Sequence, residues 1–424
     1  LTYEYKNFPE DRGLATLRGD EITLSKASTK AEDYDSYFDI WAWNDLSQQS
    51  TTVSFGWRRY YHAIYIANYI IENKDKITEA TADEINQLVG EAYMMRAYCH
   101  FLLVNLFAEP YTHCNAATTR GVPLSLKADV NAVLSCSSVE QVYQQVVDDV
   151  NEAKKHLTVE QWEEGYTYRF NTVSADALMA RVCLYKGDWQ NALAAAQAVI
   201  EKHGALEDLT TSKVLPNYYK SVESIVALEQ VMTSSYVRIG APNKALIDKY
   251  RTGDKRKSLF YKAITASAYS LQKYGEKGND GYRCSFRSAE AYLIAAEAAA
   301  ELAADNAAAD DSKLNEARTY LKKLMVKRYA SAKYNQYAAQ LDNMQKADLL
   351  KAIFNERAYE LAFEGHRWFD LRRTSRPELT KTYDDKTYTL SENDSRYTMR
   401  FPIEAGGANP WEHRAASRQP ALWC

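Results

Sequence analysis

The chain has 424 residues, 46% of them hydrophobic and 25% charged, with a formal net charge of −4. That length exceeds one ordinary core, although a single large helical array accommodates it, and the charge is spread without the basic stripe of a nucleic-acid binder. No run of about 18 or more apolar residues occurs, so no segment reads as a membrane-spanning helix.

In chain order, DIWAWND (39–45) comes first, with Trp41 and Trp43 two residues apart beside Asp39, Asn44 and Asp45. In an extended strand both indoles face one way, about 6.5–7 Å apart. Such a platform stacks on sugar rings while the polar neighbours take hydroxyl hydrogen bonds; the alternative is two core tryptophans capped by a polar turn. Segments 55–76 and 83–107 carry apolar residues at three- and four-residue spacings and predict helices, the second capped by Asp83 and stopped by Pro110. Segment 137–157 opens on a capping box from Ser137 to Glu140. Residues 174–203 predict two helices broken at Gly187-Asp188. Ala177, Ala180, Tyr185 and Ala192 are spaced there as in a tetratricopeptide unit, with small residues for close approach and an aromatic to fill the gap.

A further pair is predicted over 288–303 and 313–330, joined by the polar connector DNAAADD, and 345–373 reads as one long helix. Residues 205–286 and 374–424 read as irregular decoration, where binding residues often sit. Tyrosine occurs 32 times and tryptophan 8 times against 12 phenylalanines, a choice that suits rings with one end in water or on a polar ligand.

ELAFEGHRWFDLRR (360–373) raises the question of catalysis. On one helix Arg357, Glu360 and Glu364 fall on the face of Leu350, Ile353, Leu361, Trp368 and Leu371, and Arg367 follows Glu364 by three residues. Charges amid an apolar stripe persist only when paired, and adjacent turns leave no gap for a substrate between the two glutamates. The segment therefore reads as a structural ion network rather than an acid–base pair, with Gly365 marking a kink or a close contact. The seven histidines show no ligand spacing, and no phosphate loop, dinucleotide fingerprint or nucleophile elbow is present, so neither metal nor cofactor is expected. The six cysteines lack any C-x-x-C spacing; Cys114 and Cys136 flank a loop that a disulfide would close in an oxidising compartment.

Several segments, taken in order, resemble the SusD/RagB family of nutrient-binding outer-membrane lipoproteins. FNERAYELAFEGHRWFDLRR (354–373) is similar to the family's C-terminal signature. GEAYMMRAYCHFLLVNLFAEP (90–110) resembles its helix-to-turn segment, with Ala108-Glu109 in place of the usual Gly-Asp. RGVPLSLKADVNAVLSCSSVEQVYQQVVDDVNEA (120–153), SADALMARVCLYKGDWQNALAAAQAVI (174–200), RSAEAYLIAAEAAA (287–300) and WRRYYHAIYIANYIIE (57–72) are similar to further stretches. The pattern continues to FPIEAGGANP (401–410) but not into 411–424, and the family's lipid-carrying cysteine has no counterpart in this chain.

The resemblance implies an all-α fold: tetratricopeptide-like helix pairs in a right-handed superhelical scaffold (55–203 and 287–373), decorated by irregular segments (1–54, 205–286 and 374–424), all in one domain. It implies a non-catalytic, lipid-anchored protein of the outer-membrane surface. Such a protein captures oligosaccharides, or peptides in some branches, for a SusC-like TonB-dependent transporter. Family sites lie near the N-terminal segment and the central insertion. The expected ligand residues are thus Trp41, Trp43, Asn44, Arg18 and Asp20, with Tyr236, Tyr269 and Tyr274 in support. The rivals are an all-α glycoside hydrolase or lyase, which needs two carboxylates across a cleft, and a pure protein-interaction scaffold.

Overall fold

The computed structural model describes residues 1–25, 29–232, 239–274, 280–402 and 405. About 51% of the chain is helical. Three short helices open it, α1 (Thr2–Lys6), α2 (Asp11–Thr16) and α3 (Ala31–Trp41). They occupy a stretch read as irregular, since none is long enough to display several turns of periodicity. Tertiary packing holds them instead, with Tyr5, Leu14, Phe38 and Ile40 all buried.

The array then runs through α4 (Trp57–Asn73), α5 (Ala82–Phe107), α6 (Val139–His156), α7 (Thr172–Lys186) and α8 (Trp189–His203). Each of these helices packs on its sequence neighbour, as tetratricopeptide-like pairs do. Two caps differ from the sequence reading. Thr81 with Glu84 forms the box of α5, not Asp83, and Ser138 with Gln141 forms that of α6, one residue beyond Ser137 and Glu140. In both, the residue placed to satisfy the third backbone N–H wins. Between α7 and α8 the chain turns at Gly187, whose φ of +73° glycine adopts without strain, and Asp188 then caps α8.

The central insertion carries α9 (Lys244–Ile247) and α10 (Lys255–Phe260). The array resumes with α11 (Ser288–Leu302), α12 (Ser312–Met325), α13 (Ser331–Asp342), α14 (Lys346–Glu360) and α15 (Arg367–Arg373). Helix α11 packs at once on α8, α12 and α14. Its alanines make this possible: Ala289, Ala295, Ala296, Ala298, Ala299 and Ala300 are all fully buried, and their small side chains let three helices close on one axis.

The predicted long helix over 345–373 is in fact α14 and α15 separated by a turn. Phe363 at φ +63° and Gly365 at φ +71° reverse the chain there. A Cβ on Gly365 would meet Arg12 Cβ at 2.7 Å, so the glycine serves both the turn and the close approach of α2.

Strands are limited to two-stranded antiparallel ladders among the described residues. The longest is a hairpin, Leu379–Tyr383 with Lys386–Leu390, in the C-terminal stretch read as lacking periodicity. Asp384 and Asp385, both at positive φ, form its two-residue turn, and the alternation around Asp-Asp was a legible hairpin signal. The buried apolar cluster runs from Tyr5 to Ala405 and takes in residues of the scaffold, the insertion and the hairpin. No described helix is long and apolar enough to cross a membrane. Cys99, Cys114, Cys183 and Cys284 are reduced thiols, so no disulfide closes the loop between Cys114 and Cys136.

Candidate ligand-binding site

The charged segment at 360–373 is buried except at Arg367, which is half-buried. Glu360 receives Arg328 at 2.8 Å, Arg287 at 2.7 Å and Arg256 at 3.0 Å. Glu364 receives Arg287 at 2.7 Å and Lys273 at 2.5 Å. Glu223 completes the group through Arg328 at 2.5 Å and Arg287 at 2.8 Å.

Arg357 bonds Asp370 at 2.7 Å rather than Glu360, and Arg367 bonds Asp20 rather than Glu364. The turn at 361–366 takes Glu364 and Arg367 off the helix that would have aligned them, whereas Glu360, on α14 with Arg357, is taken up by Arg328, Arg287 and Arg256. Although burial opposes ionisation, the surrounding cations hold the Glu360 and Glu364 carboxyls below the usual carboxylate range. Burial, reinforced by Arg12, keeps the His366 imidazole well below its ordinary pKa, hence neutral. These contacts tie the insertion (Arg256, Lys273), the start of α11 (Arg287) and the end of α12 (Arg328) to the end of α14. Every carboxylate is occupied by protein donors, and no space for a substrate opens between Glu360 and Glu364.

The expected aromatic platform is also closed. Segment 39–45 is not extended: α3 runs to Trp41, and the chain then turns with Trp43 at φ +58°. Trp41 and Trp43 are 0% and 1% exposed. Their indole N–H groups donate to the carbonyls of Ile22 (3.0 Å) and Arg18 (2.9 Å), and the Lys381 ammonium lies 4.0 Å from the Trp43 ring centroid. Asn44 donates to Asp39, which also accepts from Gln49 N–H and Thr52. Arg18 is fully buried, forked onto Asp45 at 2.6 and 2.8 Å, and Asp20 is held by Arg367 at 2.8 Å. Trp41, Trp43, Arg18 and Asp39 are buried while Asn44, Asp45 and Asp20 are half-buried, as core tryptophans capped by a polar turn would be. In the insertion, Tyr274 is buried with its hydroxyl on the Phe363 carbonyl. Tyr269 is half-buried in a short strand pairing with Ala263, and Tyr236 lies outside the described residues.

An open cleft does lie at the N-terminal segment, with neither Trp41 nor Trp43 in its lining. Its volume is about 340 Å³, and it separates the start of α2 (Pro9, Glu10, Asp11) from the approach to α4 (Ser54, Phe55, Arg58, Arg59). Arg58 and Arg59 are exposed in the first turn of α4. At the floor, Asp11 accepts the Gly56 N–H at 2.7 Å; burial pushes its carboxyl up to about 7, against the pull of that hydrogen bond. One turn further along α4, His62 bonds Glu4 at 3.1 Å, with the exposed Tyr3 ring edge-on to it. The arrangement offers guanidinium and hydroxyl donors at a mouth open to solvent, chemistry suited to a ligand rich in hydroxyls. Sequence reasoning gave Arg58 and Arg59 to the scaffold. The signal was the Arg-Arg pair in the first turn of α4, separated by three residues from the polar QQSTTVS run.

The helix pairs with loop decoration define a tetratricopeptide-like helical protein with loop-borne surface clefts. The sequence matches a family described as starch-binding and associating with the outer membrane over residues 10–184, and the SusD family over residues 143–420. The second match spans well over half the chain, and the chain belongs to the SusD family. SusD-like protein P2 of Formosa agariphila is 23% identical over 389 residues, 77% of this chain and 73% of the relative. SusD-like protein P25 of the same organism is 22% identical, covering 91% of this chain and 82% of the relative. Among solved structures, a SusD superfamily protein from Bacteroides fragilis superposes with a TM-score of 0.77 at 22% identity, over 95% of this chain and 92% of that one. A laminarin-binding SusD-like protein gives 0.62 at 20% identity, over 86% of each chain. At such identities the structural likeness establishes the fold.

Proposed function

We propose that this protein captures oligosaccharides at the outer-membrane surface, without catalysis, and passes them to a SusC-like TonB-dependent transporter while anchored by lipid. Membership of the SusD family carries the reading, because the two matched families together cover residues 10–420, including all but Pro9 of the cleft's lining. The starch-binding description of the first family and the laminarin-binding neighbour support a glycan as ligand. The cleft fits that chemistry. Arg58, Arg59 and Ser54 present donors at an open mouth, so hydroxyls exchange water for protein contacts one by one and affinity per site stays modest. Its two carboxylates, Glu10 and Asp11, are consecutive residues of one wall. Glycoside hydrolysis needs a pair flanking the sugar from opposite sides.

Native electrophoresis through gels cast with single polysaccharides tests the reading. The protein is expected to be retarded by one polysaccharide, and Arg58→Ala/Arg59→Ala to lose most of that retardation while melting as the wild type does. Uniform mobility across a broad panel, together with no heat of binding to oligosaccharides, refutes glycan capture. Calorimetric binding of peptides in their place moves the ligand to that class.

A further inference from the structure

A second cleft, sharing no lining residue with the first, lies between the loop joining α6 to α7 and the start of the insertion. Its volume is about 170 Å³, and Trp162, Glu164 and Thr167 face Tyr219, Lys220 and Ser224 across it. Aromatic rings gather on both walls. On one, Tyr166 stands 6.2 Å from Trp162 and 6.4 Å from Tyr168; on the other, Tyr218 stands 5.0 Å from Tyr219 and 5.4 Å from Tyr282.

The indole of Trp162 is fixed from behind. Its N–H donates to the Phe170 carbonyl at 2.9 Å, and the Arg169 guanidinium covers one face at 3.8 Å from the ring centroid. Arg169 is itself forked onto the fully buried Glu91 at 2.6 and 3.1 Å, and Glu91 also receives the Tyr5 hydroxyl at 2.6 Å. Core residues thus hold a half-buried loop tryptophan in one orientation at the cleft. A platform held in this way loses little entropy when a ligand settles on it.

Charge at the rim is balanced. Glu164 bonds Lys220 at 2.5 Å and accepts the Tyr219 hydroxyl at 3.1 Å, so one acid and one base meet across the mouth. The cation behind Trp162 is neutralised by Glu91. What remains is aromatic surface edged by Gln161, Thr167 and Ser224. That chemistry selects neither a strong anion nor a cation. It matches a neutral sugar, whose apolar ring face stacks on an aromatic while its rim hydroxyls meet polar side chains.

We infer that the Trp162–Tyr219 cleft is a second saccharide-binding site, taking a neutral pyranose unit against the Trp162 indole. The inference rests on the glycan-capture reading but not on the Arg58–Arg59 cleft. Two sites on one surface allow a long chain to engage both, and the second engagement is then intramolecular.

The test uses the full chain labelled with 5-fluorotryptophan, with the Trp162 resonance assigned by Trp162→Phe. Maltoheptaose, laminariheptaose and the oligosaccharides of any retarding polysaccharide are titrated into the wild type and into Arg58→Ala/Arg59→Ala. The Trp162 resonance is expected to shift saturably in both. Tyr219→Ala, folded by circular dichroism, should weaken polysaccharide retention by ~tenfold or more as the second contact is lost. A Trp162 resonance that stays fixed while calorimetry records glycan binding overturns the second site and leaves glycan capture standing. A wild type that binds no saccharide overturns both.

Discussion

Arg287→Met is the most direct probe of the buried network. Arg287 is 2% exposed and uses its guanidinium fully. It reaches Glu364 at 2.7 and 2.8 Å, Glu360 at 2.7 Å, Glu223 at 2.8 Å and the Glu360 carbonyl at 2.9 Å. Methionine fills much of the same volume and supplies no charge. Glu360 keeps Arg328 and Arg256, whereas Lys273 is the one cation that Glu364 keeps among the described residues. Removing one partner of a buried pair costs about 3–5 kcal/mol, because the remaining charge stays out of water uncompensated. Here three carboxylates lose a partner, so the upper end, about 5 kcal/mol, is expected.

The cost should also depend on pH. In the wild type the Glu360 and Glu364 carboxyls titrate below their ordinary range, so their contribution is present above the unfolded value and fades as pH falls. In the variant they rise toward protonation, and a protonated glutamic acid needs no cation. The deficit is therefore larger at pH 8 than at pH 5. Urea denaturation of both proteins at the two values measures it. A loss under about 1 kcal/mol at pH 8, or one that does not change with pH, refutes the argument that this network carries paired charges essential to the fold.

Trp43→Ala should destabilise the protein by about 3–5 kcal/mol, the range for truncating a buried aromatic, since Trp43 lies beside Lys381 in the core; a variant melting like the wild type but failing to bind glycan would return Trp43 to the ligand site. Asp11→Asn tests the floor of the first cleft. The folded carboxyl titrates near 7 because it is buried, whereas the unfolded one titrates near 4. The folded state thus holds the extra proton across that window, and its stability falls as pH rises through it, by about 4 kcal/mol at most. The amide removes this term, so the variant's stability should decline less than the wild type's from pH 5 to 8. The flattening is partial because Glu21, which burial pushes up to about 8, acts in the same sense. Parallel pH–stability curves would show that Asp11 stays ionised.

Much of the scaffold was legible in the sequence. Helical periodicity over α4 to α8 and over α11 and α12 needs only a repeating apolar face, and the break at Gly187-Asp188 needs only the αL preference of glycine. The reading of ELAFEGHRWFDLRR as a network of paired charges was also accessible, because charges amid an apolar stripe have to be paired. The partners were not. Glu364 meets Arg287 across 77 residues of sequence and Glu21 meets the Phe363 N–H across 342, and no local spacing encodes such pairs.

Ligand residues were the least legible. An aromatic two residues from another looks the same in sequence whether it faces sugar or core, and only the burial of Trp41 and Trp43 by the hairpin and by Lys381 decides it. What sequence alone determined was periodicity, turn chemistry and the ordered motifs of a family. What tertiary structure alone decided was which polar and aromatic groups stay in contact with water. That choice depends on the summed packing of segments distant in the chain, as where the Arg169–Glu91 contact holds the Trp162 indole at the surface.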